Sequence, residues 1–192
     1  MDALLEHNIM FPYCIGVSAG ISNGVSYLSR QLRRNLEILE KYRLDDRYLS
    51  YRNFLRCRSI FGLDFVFEEI PNHLVPFDWN TYSQYDGTIL VGVTNAITGK
   101  SEYLDGHKMD KKFTMLRATC AIPMFFPSIE IGGILYYDGG LADPIPIKKA
   151  LSDGNQKHLI ILTQPEGYQK QLNRETKFAA GVIRQKYPKL SE

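Results

Sequence analysis

The chemistry-bearing residues of this chain concentrate in two short stretches far apart in sequence, Gly16-Val17-Ser18-Ala19-Gly20 and Tyr136-Tyr137-Asp138-Gly139-Gly140. A serine hydroxyl becomes nucleophilic only when a neighbouring base removes its proton, so a G-x-S-x-G match needs both a structural context and a partner. The context is favourable. Phe11 to Val17 reads as a short buried strand and Ala19 to about Arg33 as a helix, which puts Ser18 on the turn between them. Gly16 and Gly20 would keep Cβ atoms away from that cramped turn, and the start of the helix offers the Ala19 backbone N–H to a developing oxyanion.

The four histidines, His7, His73, His107 and His158, each have an ordinary surface or strand-end explanation. His107, in the polar turn Asp105-Gly106-His107-Lys108, is the best placed for a triad, yet no flanking motif aims it at Ser18. Asp138 is the stronger candidate for the base, because it ends an apolar strand where a carboxylate needs a reason to be. Gly139 and Gly140 let the backbone turn sharply after it, although the same residues read equally as a common Asp-Gly turn. Asp143, just before Pro144, reads as a turn or helix-capping residue. Met124, Phe125 and Phe126 beside a proline turn are candidates either to line an apolar trough or to pack in the core.

These residues must be positioned by a single domain spanning residues 1–192, since 192 residues with 44% hydrophobic and 23% charged side chains fit one globular unit and exclude disorder and repeats. Strands alternate with helices, which favours an α/β fold with a largely parallel central sheet. Thr88 to Ala96 and Glu102 to Leu104 form one expected hairpin, and Ile129 to Tyr137, broken at Gly132-Gly133, forms another. Helices are expected at about Asp64–Ile70, Lys108–Ala121, Ile147–Leu151 and Arg174–Lys186, and His158 to Thr163 reads as a buried strand. The N-terminal Ala3, Leu4, Leu5 and Ile9 look like the tail of an amphipathic helix.

With 23 Lys and Arg against 21 Asp and Glu the net charge is +2, far from the basic excess of a nucleic-acid-binding domain. Between Arg30 and Arg58, however, nine basic residues face four acidic ones. That stretch is either a solvated helix face or a surface for anionic membrane headgroups. Three cysteines, Cys14, Cys57 and Cys120, suggest neither a disulfide framework nor a zinc site. No apolar run approaches the about 20 residues of a membrane span, and the acidic N-terminus does not read as a signal peptide, so a cytoplasmic protein is expected.

Three segments together resemble the patatin-like phospholipase family, particularly its bacterial members. They are the Gly16–Gly20 elbow, the stretch Ala118-Thr119-Cys120-Ala121-Ile122-Pro123-Met124-Phe125-Phe126-Pro127, and Asp138-Gly139-Gly140 followed by Asp143 and Pro146. The resemblance implies a three-layer α/β hydrolase with a Ser-Asp dyad. In it Ser18 would be nucleophile and acyl carrier and Asp138 the proton acceptor, cleaving carboxylic esters of lipids with no metal or organic cofactor. It also implies a first strand and a glycine-rich, arginine-bearing loop whose amides resemble an oxyanion hole. The 17 residues before Ser18 contain neither. A chain truncated at the N-terminus is therefore expected, and the abrupt Lys189-Leu190-Ser191-Glu192 ending suggests missing C-terminal material too. Two other readings stay open: a broad carboxylesterase or thioesterase with the same dyad, and a catalytically impaired lipid-binding or regulatory fragment.

Overall fold

The computed structural model describes residues 1–48, 62–165, 167–168 and 187–190. In chain order the elements are α1 (Asp2–Glu6), β1 (Tyr13–Val17), α2 (Ala19–Leu28), α3 (Arg34–Tyr42), a π-helix (Phe65–Leu74), α4 (Trp79–Ser83), β2 (Thr88–Asn95), β3 (Ser101–Asp105), α5 (Thr114–Thr119), β4 (Ile129–Ile131), β5 (Ile134–Asp138) and α6 (Ile147–Ser152). Short 3-10 turns occupy Gly106–Lys108, Gly139–Leu141 and Pro188–Leu190.

β2 is the organising strand. Ile89, Val91 and Val93 are fully buried, as expected of a strand covered on both faces. Its residues 90–94 pair antiparallel with β3 on one edge. On the other edge β1 and β5 lie end to end: β1 runs parallel, with Val17 opposite Gly92, and β5 runs antiparallel, with Asp138 opposite Val93. Two strand ends arriving from opposite directions therefore meet on adjacent residues of β2. β4 extends the sheet beyond β5 through a tight hairpin in which both Gly132 and Gly133 have positive φ, the conformation such turns demand.

α2 packs back onto this sheet because Ile21, Val25 and Leu28 recur on one helical face and are buried. The Tyr27 hydroxyl accepts from the Phe11 amide and donates to the Ile9 carbonyl, fixing how the chain enters β1. Arg117 on α5 pairs with Asp64 at 2.7 Å and Glu68 at 3.2 Å, tying that helix to the π-helix.

The α/β class with helices flanking the sheet agrees with expectation, but the sheet is mixed rather than largely parallel. Among the described residues only β1–β2 is a parallel pairing. The reason is that both hairpins, β2–β3 and β4–β5, are antiparallel by construction and β5 also enters antiparallel to β2. His158 to Thr163 forms no strand, and Leu159, Ile160, Ile161 and Leu162 are each about half exposed. Apolar β-branched composition favours a strand only where a ladder partner exists, and among the described residues this segment has none. The expected helix over 108–121 is split, because Phe113 adopts a left-handed backbone, φ 51, just before Thr114. Asp110 caps the new start by accepting from the Thr114 amide and hydroxyl. The expected short helix near Asp64–Ile70 is the π-helix, and the expected helix over 174–186 lies outside the described residues.

Among the described residues of the basic stretch, Arg30, Arg33 and Arg43 are exposed and three others are engaged. Arg34 turns inward and is buried. Lys41 pairs with Glu37, and Arg47 pairs with Asp45 and Glu69. Residues 49–61 lie outside the described residues. Among the described residues no helix is long and apolar enough to cross a membrane.

Candidate active site

Ser18 closes β1 and opens α2 with φ 52 and ψ −129. That region costs a non-glycine residue about 1–3 kcal/mol and persists only when neighbours enforce it. The enforcement is visible. The Ser18 amide donates to Thr119 Oγ1 at 2.8 Å, and the Thr119 hydroxyl donates in turn to the Gly92 carbonyl at 2.5 Å. From the helix side, the Ser22 amide and hydroxyl both donate to the Ser18 carbonyl at 3.1 Å. One buried threonine thus ties the turn to the middle of β2, and its neighbour Cys120, with a thiol that burial pushes up to about 11, packs 3.6 Å from Ser22 Oγ.

The two motif glycines are not equivalent. A Cβ on Gly16 would stand 2.9 Å from the Ile21 backbone nitrogen, so that position admits nothing larger. A Cβ on Gly20 would meet nothing within 4 Å, which leaves the second half of the glycine argument without a steric basis here. Ala19 is exposed and begins α2, so its amide belongs to the first-turn N–H groups that have no acceptor within the helix.

Asp138 is only 6% exposed. Its amide donates to the Ala121 carbonyl at 2.9 Å, its carbonyl accepts from Thr94 Oγ1 at 2.8 Å, and its Oδ1 accepts from the Gly140 amide at 2.7 Å. Burial pushes its carboxyl above the ordinary carboxylate value, while the Gly140 amide, which donates to it, and the nearby Ser18 side chain pull the other way. Gly139 is required by packing, since a Cβ there would lie 2.4 Å from the Gly92 carbonyl. A Cβ on Gly140 would lie 3.0 Å from Asp138 Oδ1. Gly92 is itself constrained, because a Cβ would come within 2.7 Å of Val17 Cγ2.

The structure therefore brings Ser18, Asp138, Gly16, Gly139 and Gly140 to one junction over Gly92 and Val93. Thr119 and Gly92 share that junction and carry no motif signal beyond membership in a small-residue stretch and a strand. His107 is elsewhere: its Nε2 lies 2.7 Å from the Gly87 carbonyl, at the end of β2 away from Gly92. All four histidines are exposed. Asp143 caps no helix, since Pro146 precedes α6, and instead accepts from the Tyr103 hydroxyl at 2.5 Å.

A cavity of about 410 Å³ opens beside Ser18, walled by α2, α3, the π-helix, α5 and the 120–126 turn. Phe126 lines it together with Ile122, Phe67 and Leu116, whereas Met124, 38% exposed, and Phe125, 45% exposed, lie outside its wall. The Met124 backbone has φ 73, and this reversal in the turn separates it from Phe126. Among the described residues no cluster of three His, Cys, Asp or Glu side chains is placed to hold a metal.

A serine on a strained strand–helix turn, a buried carboxylate on the adjoining strand end and an apolar cavity beside them lie together on an α/β hydrolase-type fold. Residues 1–151 match the patatin-like phospholipase family, and the chain belongs to that family. It is also 25% identical over 169 residues to the uncharacterized protein YjjU of Escherichia coli (strain K12), a similarity covering 81% of this chain and 44% of that protein. The chain thus spans less than half the length of this curated relative.

Proposed function

We propose that the protein is a serine lipid acyl hydrolase working through a Ser18–Asp138 dyad. The observation that carries this reading is the junction on β2, where the strained Ser18 turn and the buried Asp138 carboxylate end adjacent strand positions. Ser18 Oγ attacks the ester carbonyl carbon while its proton passes to the Asp138 carboxylate. The tetrahedral oxyanion that forms is met by the Ala19 amide at the positive end of α2. Collapse breaks the ester C–O bond, and the proton held by Asp138 goes to the departing alcohol. Water then attacks the acyl-serine, loses its proton to Asp138, and the acid leaves as that proton returns to Ser18 Oγ.

A carboxylate is a weak base at neutral pH, so the dyad depends on the poorly solvated setting that raises the basicity of Asp138. The apolar cavity supports a lipid-derived acyl group, which would bury its chain there. The test is labelling with a fluorophosphonate probe together with turnover of p-nitrophenyl esters of increasing acyl length. Labelling that disappears in Ser18→Ala and Asp138→Asn supports the dyad. A folded wild-type protein that neither labels nor turns over any ester overturns it and leaves a lipid-binding relative.

A further inference from the structure

Arg34 is a buried cation that makes no ion pair among the described residues. It is 7% exposed, its Nη1 donates to Ser26 Oγ at 3.2 Å and its Nη2 to the Val75 carbonyl at 2.9 Å. Its Nε, also buried, has no acceptor among the described residues. The guanidinium stands 5.3 Å over the Phe77 ring. Glu37, one turn further along α3, is engaged by Lys41 at 2.6 Å and reaches Arg34 only through its field. A guanidinium withdrawn from water without a counter-ion is destabilising, and a core-only role would be filled better by an apolar side chain of the same volume.

Arg34 lines the same cavity as Ser18, a cavity otherwise walled mainly by apolar residues such as Ile38, Val66 and Phe67. Ser26, which holds Nη1, lies about 12 Å from Ser18 along the α2 axis at about 1.5 Å per residue. An Nε–H without an acceptor beside an Nη–H forms a fork that can donate to both oxygens of a carboxylate, and apolar walls strengthen such a pair.

We propose that Arg34 is a specificity residue that receives a carboxylate at the far end of the acyl chain, so that the preferred substrates are esters of dicarboxylic acyl chains rather than of plain hydrocarbon tails. This rests on Ser18 being the nucleophile, which sets where the ester end lies. A chain of about nine carbons spans the distance from Ser18 to the level of Ser26.

The experiment measures equilibrium binding by calorimetry, using the N-butylamide of nonanedioic acid and the N-butylamide of nonanoic acid, neither of which has an ester to cleave. The wild-type protein is expected to bind the carboxylate-ended probe at least tenfold more tightly, and Arg34→Met to lose that preference. Arg34→Gln, which keeps a donor for Ser26 or Val75, serves the same purpose if the methionine variant does not fold. Equal or tighter binding of the methyl-ended probe by the wild type overturns the proposal, as does a preference that survives both substitutions. The preference is expected to persist in Ser18→Ala, so absence of turnover with the preference intact would count against the hydrolase reading and not against the carboxylate site.

Discussion

The turns that carry Ser18 and Asp138 end two strands on the same edge of β2, yet they are held by opposite means. The Ser18 turn is half-exposed, strained in its backbone, and secured by hydrogen bonds, chiefly through the Thr119 hydroxyl. The Asp138 turn has ordinary dihedrals, is buried, and is secured by steric fit of Gly139 against the Gly92 carbonyl. The contrast suits two chemical roles. A nucleophile must be presented outward at a fixed angle, whereas a weak base gains from being kept away from water.

Substitutions at the reacting groups should break this division most severely. Ser18→Ala is expected to abolish ester turnover, a loss of about 10⁴-fold or more, measured with p-nitrophenyl esters. Asp138→Asn should cost about 10²- to 10⁴-fold in the same assay. Its stability should move the other way. The folded state holds the Asp138 proton more tightly than the unfolded chain does, so wild-type stability falls as pH rises from the ordinary value of 3.8 through the raised native value. Asp138→Asn is spared that loss, so its melting temperature relative to wild type should be highest at neutral pH and the advantage should shrink on acidification. For the same reason the acid limb of the wild-type rate should lie above pH 3.8, since the base must be deprotonated.

A smaller effect is expected where the two turns are joined. Thr119→Val removes the acceptor for the Ser18 amide and the donor to the Gly92 carbonyl together, and should lower turnover by about 10- to 100-fold by letting the nucleophile drift. Each buried group left unpaired costs about 1–3 kcal/mol, read by urea denaturation. The glycines sharpen the comparison further. Gly139→Ala and Gly16→Ala should each destabilise by about 1–3 kcal/mol through backbone clashes. Gly20→Ala, with open space for its Cβ in the first turn of α2, should be neutral or stabilise by up to about 1 kcal/mol.

Much of the site was legible in residue types alone. A strand, a G-x-S-x-G turn and a helix follow one another in sequence, and the glycine pair at 132–133 announced its hairpin, because short-range sterics decide such elements. Reading failed where an element depends on what lies beside it. The apolar run at 159–162 has strand composition but, among the described residues, no ladder. The 108–121 helix is interrupted by a left-handed Phe113 stabilised through Asp110 capping. Met124 and Phe125 carry the same apolar character as Phe126 and still lie outside the cavity.

Residue order along the chain marks the Ser18 turn and the Asp138 turn as separate objects, since a strand, a turn residue and a helix, or a strand and a Gly-Gly pair, follow one another locally. Only the tertiary structure decided that they meet, because their meeting is a matter of register: Val17 opposite Gly92 and Asp138 opposite Val93. It likewise decided that Thr119, 101 residues from Ser18, supplies the hydroxyl that holds the Ser18 turn. The same holds for Arg34, one of a run of basic residues in sequence, which the packing of α3 against α2 turns away from water and into the wall of the cavity.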